Sequence, residues 1–385
     1  MEQFCAVTSF FNPASYRSRL ENYSIFREAL ERNGVTLYTV EGYFTGSAPT
    51  LPPDERTISI ELPCVLWHKE RLLNLLIAAL PRQYTRIAWL DCDVMFTNPH
   101  WHECACEFLD RCAVVQCFSE VLQLRPGKRR PWPGDPSIPG FVRGLADGAT
   151  LGDSGVGVHG RSGYAWAARR EFLDKVGLLD TCILGGADHL MAHAFTGSRW
   201  NDPCILRESG GLYARFIDFQ RWFDRARPYL DASCHYVPGL ILHLWHGTLT
   251  DRRWRARRRI LSESHFDPTQ DIGVAENGAW RWTTHKPEMH EAVRQYFHER
   301  REDGANESPN LPAAAHIDLE RLKERYCCED QGLGEFSDRE RIAYLESENA
   351  QLRRIVIDLS SENERLRRSL TRQLPSHSGR IGGSR

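Results

Sequence analysis

The sequence predicts a Rossmann-like α/β fold, in which helices flank a mixed and mostly parallel sheet. Strand and helix signals alternate over the first 100 residues, as in βαβ units whose crossover helices cover parallel strands. The segment 87–90 is apolar throughout, as expected of a strand buried on both faces. Two aspartates, Asp91 and Asp93, follow this strand at the end where parallel sheets bind ligands.

The first elements each have a local signal. Residues 5–10 form a short apolar run that predicts the first strand, and residues 15–33 have a helical period that stops at an Asn-Gly pair. Residues 35–40 are β-branched and alternating, which predicts the second strand. Apolar residues recur at helical spacing from 66 to 80, and a proline ends that helix before the third strand begins.

Three later segments differ in character. Residues 119–150 include a stretch rich in proline, glycine and arginine, which predicts a long loop that is either solvated or guides an anionic acceptor. Residues 240–247 predict a strand that breaks at its terminal glycine. A basic helix is predicted over 252–260. Its arginines would close over a diphosphate or bind a polyanion, and a solvated basic helix is the alternative for most of them.

Length and composition limit the possible functions. A chain of 385 residues exceeds one compact core, and its net charge of −2 indicates no polyanionic partner for the chain as a whole. No apolar run approaches the roughly 20 residues of a membrane-spanning helix, and residues 1–5 lack the features of a signal peptide. The twelve cysteines form no regular framework, so we expect reduced thiols in a cytoplasmic protein.

The end of the sequence predicts a parallel coiled-coil helix. Leucines recur every seven residues at Leu345, Leu352, Leu359 and Leu366. Taking them as heptad position d places Asn349 and Asn363 at position a, which favours a two-stranded parallel coiled coil of fixed register. We therefore expect a homodimer, and an amphipathic helix docked on its own catalytic domain is the alternative.

The predicted organisation has four parts. Residues 1–302 form the catalytic domain, and 303–337 form a polar linker with a short helix. The coiled coil spans 338–374, and a disordered tail spans 375–385.

The paired acids call for a physical reason, because ionised carboxylates are costly to desolvate at the end of a buried strand. An isolated Asp-x-Asp is more often a pair of solvated turn acids. A hard divalent cation is the functional explanation, since Mg²⁺ or Mn²⁺ takes oxygen ligands and keeps positions open for substrate phosphates.

The ordered motifs of residues 3–300 resemble those of the GT-A glycosyltransferases. They are Lys69 and Asn74 in the helix before the acids, Asp91 with Asp93, Gly185-Gly186-Ala187-Asp188, and His243-Leu244-Trp245-His246-Gly247. The resemblance implies the GT-A fold, a bound Mn²⁺ or Mg²⁺, and a nucleotide-sugar donor, with a UDP-sugar as the first expectation.

The resemblance also implies roles for the metal-binding candidates. Asp93 lies further out on the loop and is the expected direct ligand, while Asp91 would contact ribose or bind the metal through water. His246 or His243 would complete the metal shell. Alternation along a continued strand lets only one of them point inward, and His246 is favoured because it abuts Gly247. A core histidine is the alternative for either residue.

Asp188 is the candidate general base for the acceptor hydroxyl, and a helix N-cap is its alternative role. The donor-binding candidates are Thr8, Ser9, Asn12, Lys69, Arg71, Asn74, Asp91, Gly185, Gly186 and Arg252. The first three end the first strand, where the family holds the base and ribose. The basic side chains could reach the diphosphate or could be ordinary surface charges.

The expected function is that of a nucleotide-sugar-dependent hexosyltransferase. Its acceptor would be a hydroxyl of a glycan, a protein, a small molecule or a hydroxymethylated DNA base, and the layout looks somewhat like that of the base J glucosyltransferases. Two alternatives stay open: a metal-dependent phosphoesterase or nuclease, and a non-catalytic dimeric scaffold.

Overall fold

The computed structural model describes residues 3–132, 134–151, 159–198, 202–230, 234–248, 251 and 254–304. All of them belong to the first of two compact units of the chain, and the second unit, Cys327–Arg385, lies outside the described residues. The predicted linker helix, coiled coil and tail therefore stay predictions, and so does the role of Arg252.

The described part of the chain alternates strands and helices, as the sequence predicts. In chain order the elements are β1 (Phe4–Phe11), α1 (Arg17–Arg32), β2 (Leu37–Phe44), β3 (Thr57–Leu62), α2 (Lys69–Ala79), β4 (Arg86–Leu90), β5 (Val94–Phe96), α3 (Trp101–Leu109), β6 (Val114–Gln116), β7 (Glu120–Gln123), β8 (Ser137–Pro139), α4 (Phe141–Ala146), β9 (Ala165–Arg169), α5 (Arg170–Val176), α6 (Ala187–Phe195), α7 (Pro203–Glu208), α8 (Tyr213–Ala226), β10 (His235–Tyr236), β11 (Leu240–His243), α9 (Trp254–Glu263), β12 (Ile272–Val274), β13 (Trp280–Trp282) and α10 (Pro287–His298).

A seven-stranded sheet forms the centre of this body, in the order β10-β6-β9-β4-β1-β2-β3. The neighbouring pairs are parallel except for those of β9, which runs antiparallel to both β4 and β6. The sheet is therefore mixed and mostly parallel, and helices flank it. This confirms the predicted fold class.

Strand β1 shows how one apolar run serves two cores. All eight of its residues are buried. Cys5 and Val7 pack into the core on one face, which α2, α5, α6, α8, α9 and α10 complete, while Ala6 and Phe10 pack with α1 and α3 on the other face. Because successive side chains of a strand point to opposite faces, the sheet becomes the middle layer of three.

The order of the strands reverses between β1 and β4. From β1 the chain adds β2 and β3 on one side, and then it crosses over to place β4 on the other side. Such a reversal leaves a crevice at the carboxyl ends of the two strands, where open α/β sheets bind ligands. Ser9 near the end of β1 and Asp91 directly after β4 lie at this crevice.

A second sheet has four strands in the order β5-β11-β7-β8. Residues 119–150 contain two of its strands, β7 and β8, and also α4. Apolar side chains explain these elements, since Val121, Leu122 and Phe141 are buried. The proline- and glycine-rich stretch lies between β7 and β8.

The start of α1 is capped by the far end of the described chain. The Asp303 carboxylate accepts hydrogen bonds from the backbone N–H groups of Arg17, at 2.9 Å, and Ser18, at 2.7 Å. Tyr16 at the N-cap position makes no side-chain cap of its own. A carboxylate there satisfies unpaired N–H groups and is favoured by the helix dipole. The folded body thus includes Asp303, one residue beyond the predicted domain boundary.

Two expectations from composition concern membrane helices and cysteines. Within the described ranges, none of the helices combines the length and apolar character that crossing a membrane requires. The ten cysteines that the structure describes form no disulfide.

His68 is a fully buried histidine that couples folding to pH. Burial lowers the pKa of its imidazole to about 4; the Cys64 carbonyl, 3.1 Å from Nε2, opposes this shift and the charge of Arg71 adds to it. Below about pH 6.5 the unfolded chain binds a proton at this ring, whereas the folded chain binds it only near pH 4. This residue therefore makes folding less favourable as the pH decreases through that window, by up to about 1.4 kcal/mol per pH unit.

We predict that His68→Gln makes the free energy of unfolding less dependent on pH. A glutamine amide can donate to the same carbonyl but does not titrate. Urea denaturation between about pH 7 and pH 5 measures the slope. His285→Gln, which changes an exposed histidine, is the matched control. An unchanged slope in His68→Gln contradicts the prediction.

Candidate functional site

A cleft of about 280 Å³ opens at the crevice between β1 and β4. It brings together predicted residues from distant parts of the chain. Those that line it are Ser9, Lys69, Asp91, Asp93, Gly185, Gly186, Asp188, His243 and His246.

Asp93 and two histidines converge in this cleft. Asp93 Oδ2 lies 3.1 Å from His246 Nε2, and Asp93 Oδ1 lies 3.5 Å from His243 Nε2. The two Nε2 atoms are 3.1 Å apart. One ligand atom from each residue thus lies within 4.8 Å of the others, which is compact enough to hold a metal ion.

Strand pairing explains the convergence. His243 is the last residue of β11 and lies opposite Val94 of β5. The N–H of the next residue, Leu244, donates to the Asp93 carbonyl at 2.8 Å. Because the strand ends at His243, its alternation does not extend to His246, and both rings enter the cleft. The prediction that only one histidine points into the site is wrong.

Gln123 fixes which nitrogen of His243 faces the site. The two residues are partners in the parallel pairing of β7 with β11, and Gln123 Oε1 lies 2.6 Å from His243 Nδ1. The amide Nε2 donates to the Tyr164 hydroxyl at 2.9 Å, which turns Oε1 toward the imidazole. Nδ1 then carries the proton and Nε2 has the lone pair, as a metal ligand requires.

Glu302 lies behind His246. Its Oε2 is 3.7 Å from His246 Nδ1, and it forms ion pairs with Arg19 at 3.1 Å and Arg300 at 2.6 Å. Burial acts to raise the pKa of the Glu302 carboxyl, but the charges of Arg19, Arg300 and His246 lower it to about 2. A charged carboxylate behind a histidine orients the ring and strengthens it as a ligand.

The donor set fits a divalent metal. Asp93 Oδ1 is buried and makes no hydrogen bond of normal geometry with any described residue. Burial acts to raise the pKa of this carboxyl, but His243 and His246 hold it well below its usual range, so it is ionised. One carboxylate with two imidazoles suits Mn²⁺ better than Mg²⁺, because Mg²⁺ prefers oxygen ligands.

Asp91 faces a different partner from Asp93. Its Oδ1 forms an ion pair with Lys69 Nζ, and its Oδ2 accepts a hydrogen bond from the Tyr164 N–H at 3.2 Å. Burial raises the pKa of the Asp91 carboxyl; Lys69 opposes this shift and Asp93 adds to it. The two acids of the motif therefore contact different groups of the cleft.

The carboxylates of Asp188 and Asp91 both lie close to the backbone of Gly163. A Cβ atom at Gly163 would lie 2.7 Å from Asp188 Oδ2 and 3.8 Å from Asp91 Oδ2, so the absence of a side chain makes room for both. Asp188 is the second residue of α6, and Gly186 occupies the N-cap position. The N-cap alternative for Asp188 is therefore wrong, although its charge still lies in the favourable first turn.

Gly185 and Gly186 allow other side chains of the protein to pack closely on the backbone. Both have positive φ, 83° and 100°, which favours glycine. A Cβ at Gly186 would lie 2.5 Å from Glu208 Oε1, and one at Gly185 would lie 3.3 Å from Arg257 Nη1. Glu208 and Arg257 form an ion pair at 2.9 Å, so this pair packs directly on the glycines.

Two of the three candidates at the end of β1 stabilise the fold instead of lining the cleft. Thr8 Oγ1 donates to the Leu90 carbonyl at 2.8 Å. Asn12 bonds to both backbone groups of Tyr16, at 2.7 and 2.9 Å. Of this group, the structure brings Ser9 alone to the cleft.

Arg71 and Asn74 are also not brought to the cleft. Arg71 donates to the Gly278 carbonyl at 2.6 Å and pairs with Asp180 at 3.2 Å. Asn74 Nδ2 donates to the same Asp180 carboxylate at 3.0 Å. Both side chains therefore join α2 to neighbouring segments, whereas Lys69 at the start of this helix enters the cleft.

Sequence reasoning missed several residues that shape the site. Gln123 and Glu302 lie in segments without a motif, and only the strand register and the long-range ion pairs identify them. Gly163 and Tyr164 directly precede the apolar strand β9. Their place at one end of an apolar run was the one feature of the sequence that could have marked them as site residues. Tyr164 has a positive φ of 78°, a strained conformation of the kind that occurs at functional sites.

Glu70 is another missed residue of the cleft. It is buried and accepts a hydrogen bond from Trp67 Nε1 at 3.1 Å. Burial raises the pKa of its carboxyl to about 7; Lys69 opposes this shift and Asp188 adds to it. The signal in the sequence was an acid at an otherwise apolar face of α2.

Comparison with solved structures finds sugar transferases. The catalytic domain of Drosophila beta1,4-galactosyltransferase 7 in complex with xylobiose is 13% identical, with a TM-score of 0.28 over 62% of this chain. Glucosyl-3-phosphoglycerate synthase from Mycobacterium tuberculosis, solved with Mn²⁺, UDP and phosphoglyceric acid, is 17% identical, with a TM-score of 0.33 over 71% of this chain and 82% of the other.

This chain spans 65% of the length of the Drosophila chain, and another structure of that enzyme contains manganese, UDP-Gal and xylobiose. No family model and no curated protein matches this sequence. At these identities and scores, a function for this chain has to rest on its own residues.

We predict that Gln123→Leu weakens Mn²⁺ binding about 10- to 100-fold, because His243 loses the partner that fixes its tautomer. Calorimetric titration with Mn²⁺ measures the affinity. Gln83→Leu, which changes an exposed glutamine, is the matched control and should bind Mn²⁺ as the wild type does. Equal affinities of Gln123→Leu and wild type would show that Gln123 does not support the metal centre.

Proposed function

We propose that this protein transfers a sugar from a nucleotide-sugar donor, a UDP-sugar in the first instance, to a hydroxyl acceptor with the aid of Mn²⁺. One observation supports this above all: Asp93, His243 and His246 converge at the end of β4, beside the pair formed by Asp91 and Lys69. A metal held there would neutralise the charge of a leaving diphosphate as a Lewis acid.

The cleft contains a positive group for the diphosphate and a negative group for the ribose of a nucleoside diphosphate. Lys69 lies at the start of α2, and its ammonium can move from Asp91 to a phosphate oxygen when the donor enters. Asp91 is then released to accept hydrogen bonds from ribose hydroxyls. Arg257 and Arg300 also line the cleft, where each is paired with an acid, Glu208 and Glu302 respectively.

Asp188 is the general base of the proposal. It lies in the same cleft as the metal ligands, and Gly163 leaves the space in front of its carboxylate free of a side chain. A carboxylate placed beside an acceptor hydroxyl takes its proton as the oxygen attacks the sugar carbon, which typically contributes 10²–10⁴-fold to the rate. The acceptor is accordingly a hydroxyl-bearing molecule.

The hydrolase alternative would use the same metal ligands. Two-metal hydrolases bring several acids to two adjacent ions. In the described residues, the ligand cluster of this cleft contains a single carboxylate, that of Asp93. The geometry therefore favours a centre with one metal and a diphosphate.

The direct test incubates the full chain with Mn²⁺, a panel of nucleotide sugars and hydroxyl acceptors. The proposal expects release of the nucleoside diphosphate together with a glycosylated acceptor. Cleavage within the diphosphate without sugar transfer would support the phosphoesterase, and failure to bind any nucleotide in the presence of Mn²⁺ would support the scaffold.

We predict that Asp93→Asn abolishes Mn²⁺-dependent binding of UDP, because the metal loses its anionic ligand while the side chain keeps its shape. Wild type with UDP and Mn²⁺ at 100 times the dissociation constant should gain about 2.7 kcal/mol in unfolding free energy. Asp93→Asn should gain almost none. Asp224→Asn, an exposed acid on α8, should behave as the wild type. Full stabilisation of Asp93→Asn would exclude it as the ligand.

We predict that Asp188→Asn separates binding from turnover. The variant should bind UDP and Mn²⁺ normally, because Asp188 is not among the candidate metal ligands, and kcat should fall by about 10²–10⁴-fold. Calorimetry and steady-state kinetics measure the two effects, again with Asp224→Asn as control. Wild-type kcat in Asp188→Asn would remove it as the base.

A further inference from the structure

A second cluster of potential metal ligands lies next to the cleft. His159, His193 and Cys204 are buried, and one ligand atom from each lies within 4.8 Å of the others. His159 also lines the cleft. None of the three residues takes part in the proposed sugar transfer.

The hydrogen bonds of the two histidines use one ring nitrogen of each and leave the other for a metal ion. His159 Nε2 lies 2.6 Å from the Thr150 carbonyl, so it carries the proton and leaves the lone pair on Nδ1. His193 Nδ1 lies 2.7 Å from the Ser198 hydroxyl. Its Nε2 is fully buried and makes no hydrogen bond with any described residue. A buried ring nitrogen without a partner needs an explanation.

The geometry points to a zinc site formed by His159, His193 and Cys204. A cysteine sulfur with two imidazole nitrogens is a typical donor set for Zn²⁺, whereas manganese and magnesium favour oxygen ligands. The ion would use the lone pair of His193 Nε2 that is otherwise unpaired. This centre differs from that of Asp93, which contains a carboxylate and no sulfur.

His189 is suited to be the fourth ligand. It precedes His193 by one turn of α6, and the two ring centroids are 4.7 Å apart. Residues four apart share a helix face, so both imidazoles can reach one ion. Structural zinc sites are almost always tetrahedral with four protein ligands.

The surroundings of Cys204 fit a bound thiolate. Arg207 Nη2 donates to its sulfur at 3.3 Å. Burial raises the pKa of the Cys204 thiol, and the charge of Arg207 opposes this shift, so the guanidinium would stabilise the thiolate that a bound cation requires. The partners of a ligand atom in turn orient it and tune its charge. Arg207 comes from the same helix, α7, three residues after the cysteine.

A zinc ion here would tie together three segments that build one wall of the cleft. His159 lies in the same stretch of chain as Gly163 and Tyr164, shortly before them. His193 belongs to α6, which carries Asp188, and Cys204 belongs to α7, which ends at Glu208. The ion would thus hold the candidate base in position without contacting the substrate.

Metal analysis of the full chain tests the proposal. Because zinc could also bind at Asp93, the starting protein is the Asp93→Asn variant, which should retain about one zinc per chain after dialysis. Adding Cys204→Ser or His193→Gln should remove most of it. Adding Cys117→Ser, which changes a buried cysteine outside the cluster, should leave the zinc content unchanged.

Cobalt replaces zinc in a second measurement that needs no variant to establish binding. Co²⁺ added to chelator-treated wild-type protein should give a near-ultraviolet charge-transfer band of a thiolate ligand. The band should persist in Cys117→Ser and disappear in Cys204→Ser. Absence of the band in wild type, or its persistence in Cys204→Ser, would overturn the proposal, and so would an unchanged zinc content in the Cys204 variant.

Discussion

The pairing of β5 with β11 is the constraint on which the candidate site depends. It places the last residue of β11 beside the loop that follows β4, and the bond from the Leu244 N–H to the Asp93 carbonyl holds the two segments together. Register is set by the backbone ladder, so the distance between the acid and both imidazoles is fixed before any ligand arrives. A preformed set of ligands avoids the cost of ordering them when a metal binds.

The acidic side chains of the cleft differ in the groups that balance their charge. Two acids of the cleft each have a basic partner of their own: Asp91 has Lys69, and Glu208 has Arg257. Asp93 differs from them, since the groups nearest its carboxylate are the imidazoles of His243 and His246. A carboxylate with two imidazoles is a set of metal ligands, so this is the point of the cleft where a cation would be held.

The sequence was sufficient for strands β1, β2 and β4, for the helices between them and for the position of the paired acids, because each depends on local periodicity and on the end of an apolar run. It was insufficient for residues whose role arises from register. Gln123 is recognisable only once β7 lies beside β11, and Arg71 was assigned to the site because the direction of a helical side chain depends on how the helix packs. Strands β3 and β9 also went unassigned, since their pattern is set by their neighbours in the sheet.

The capping of the first helix by the Asp303 carboxylate has a consequence for the biosynthesis of the protein. Residues 300–303 link to Arg19 and to the backbone of α1, so both ends of the described body join at one place. During translation the first helix leaves the ribosome long before these partners exist, and Glu302 cannot support His246 until the chain has reached it. The nascent chain would thus complete the candidate site only after residue 302 has been synthesised, which postpones ligand binding until the globular part is whole.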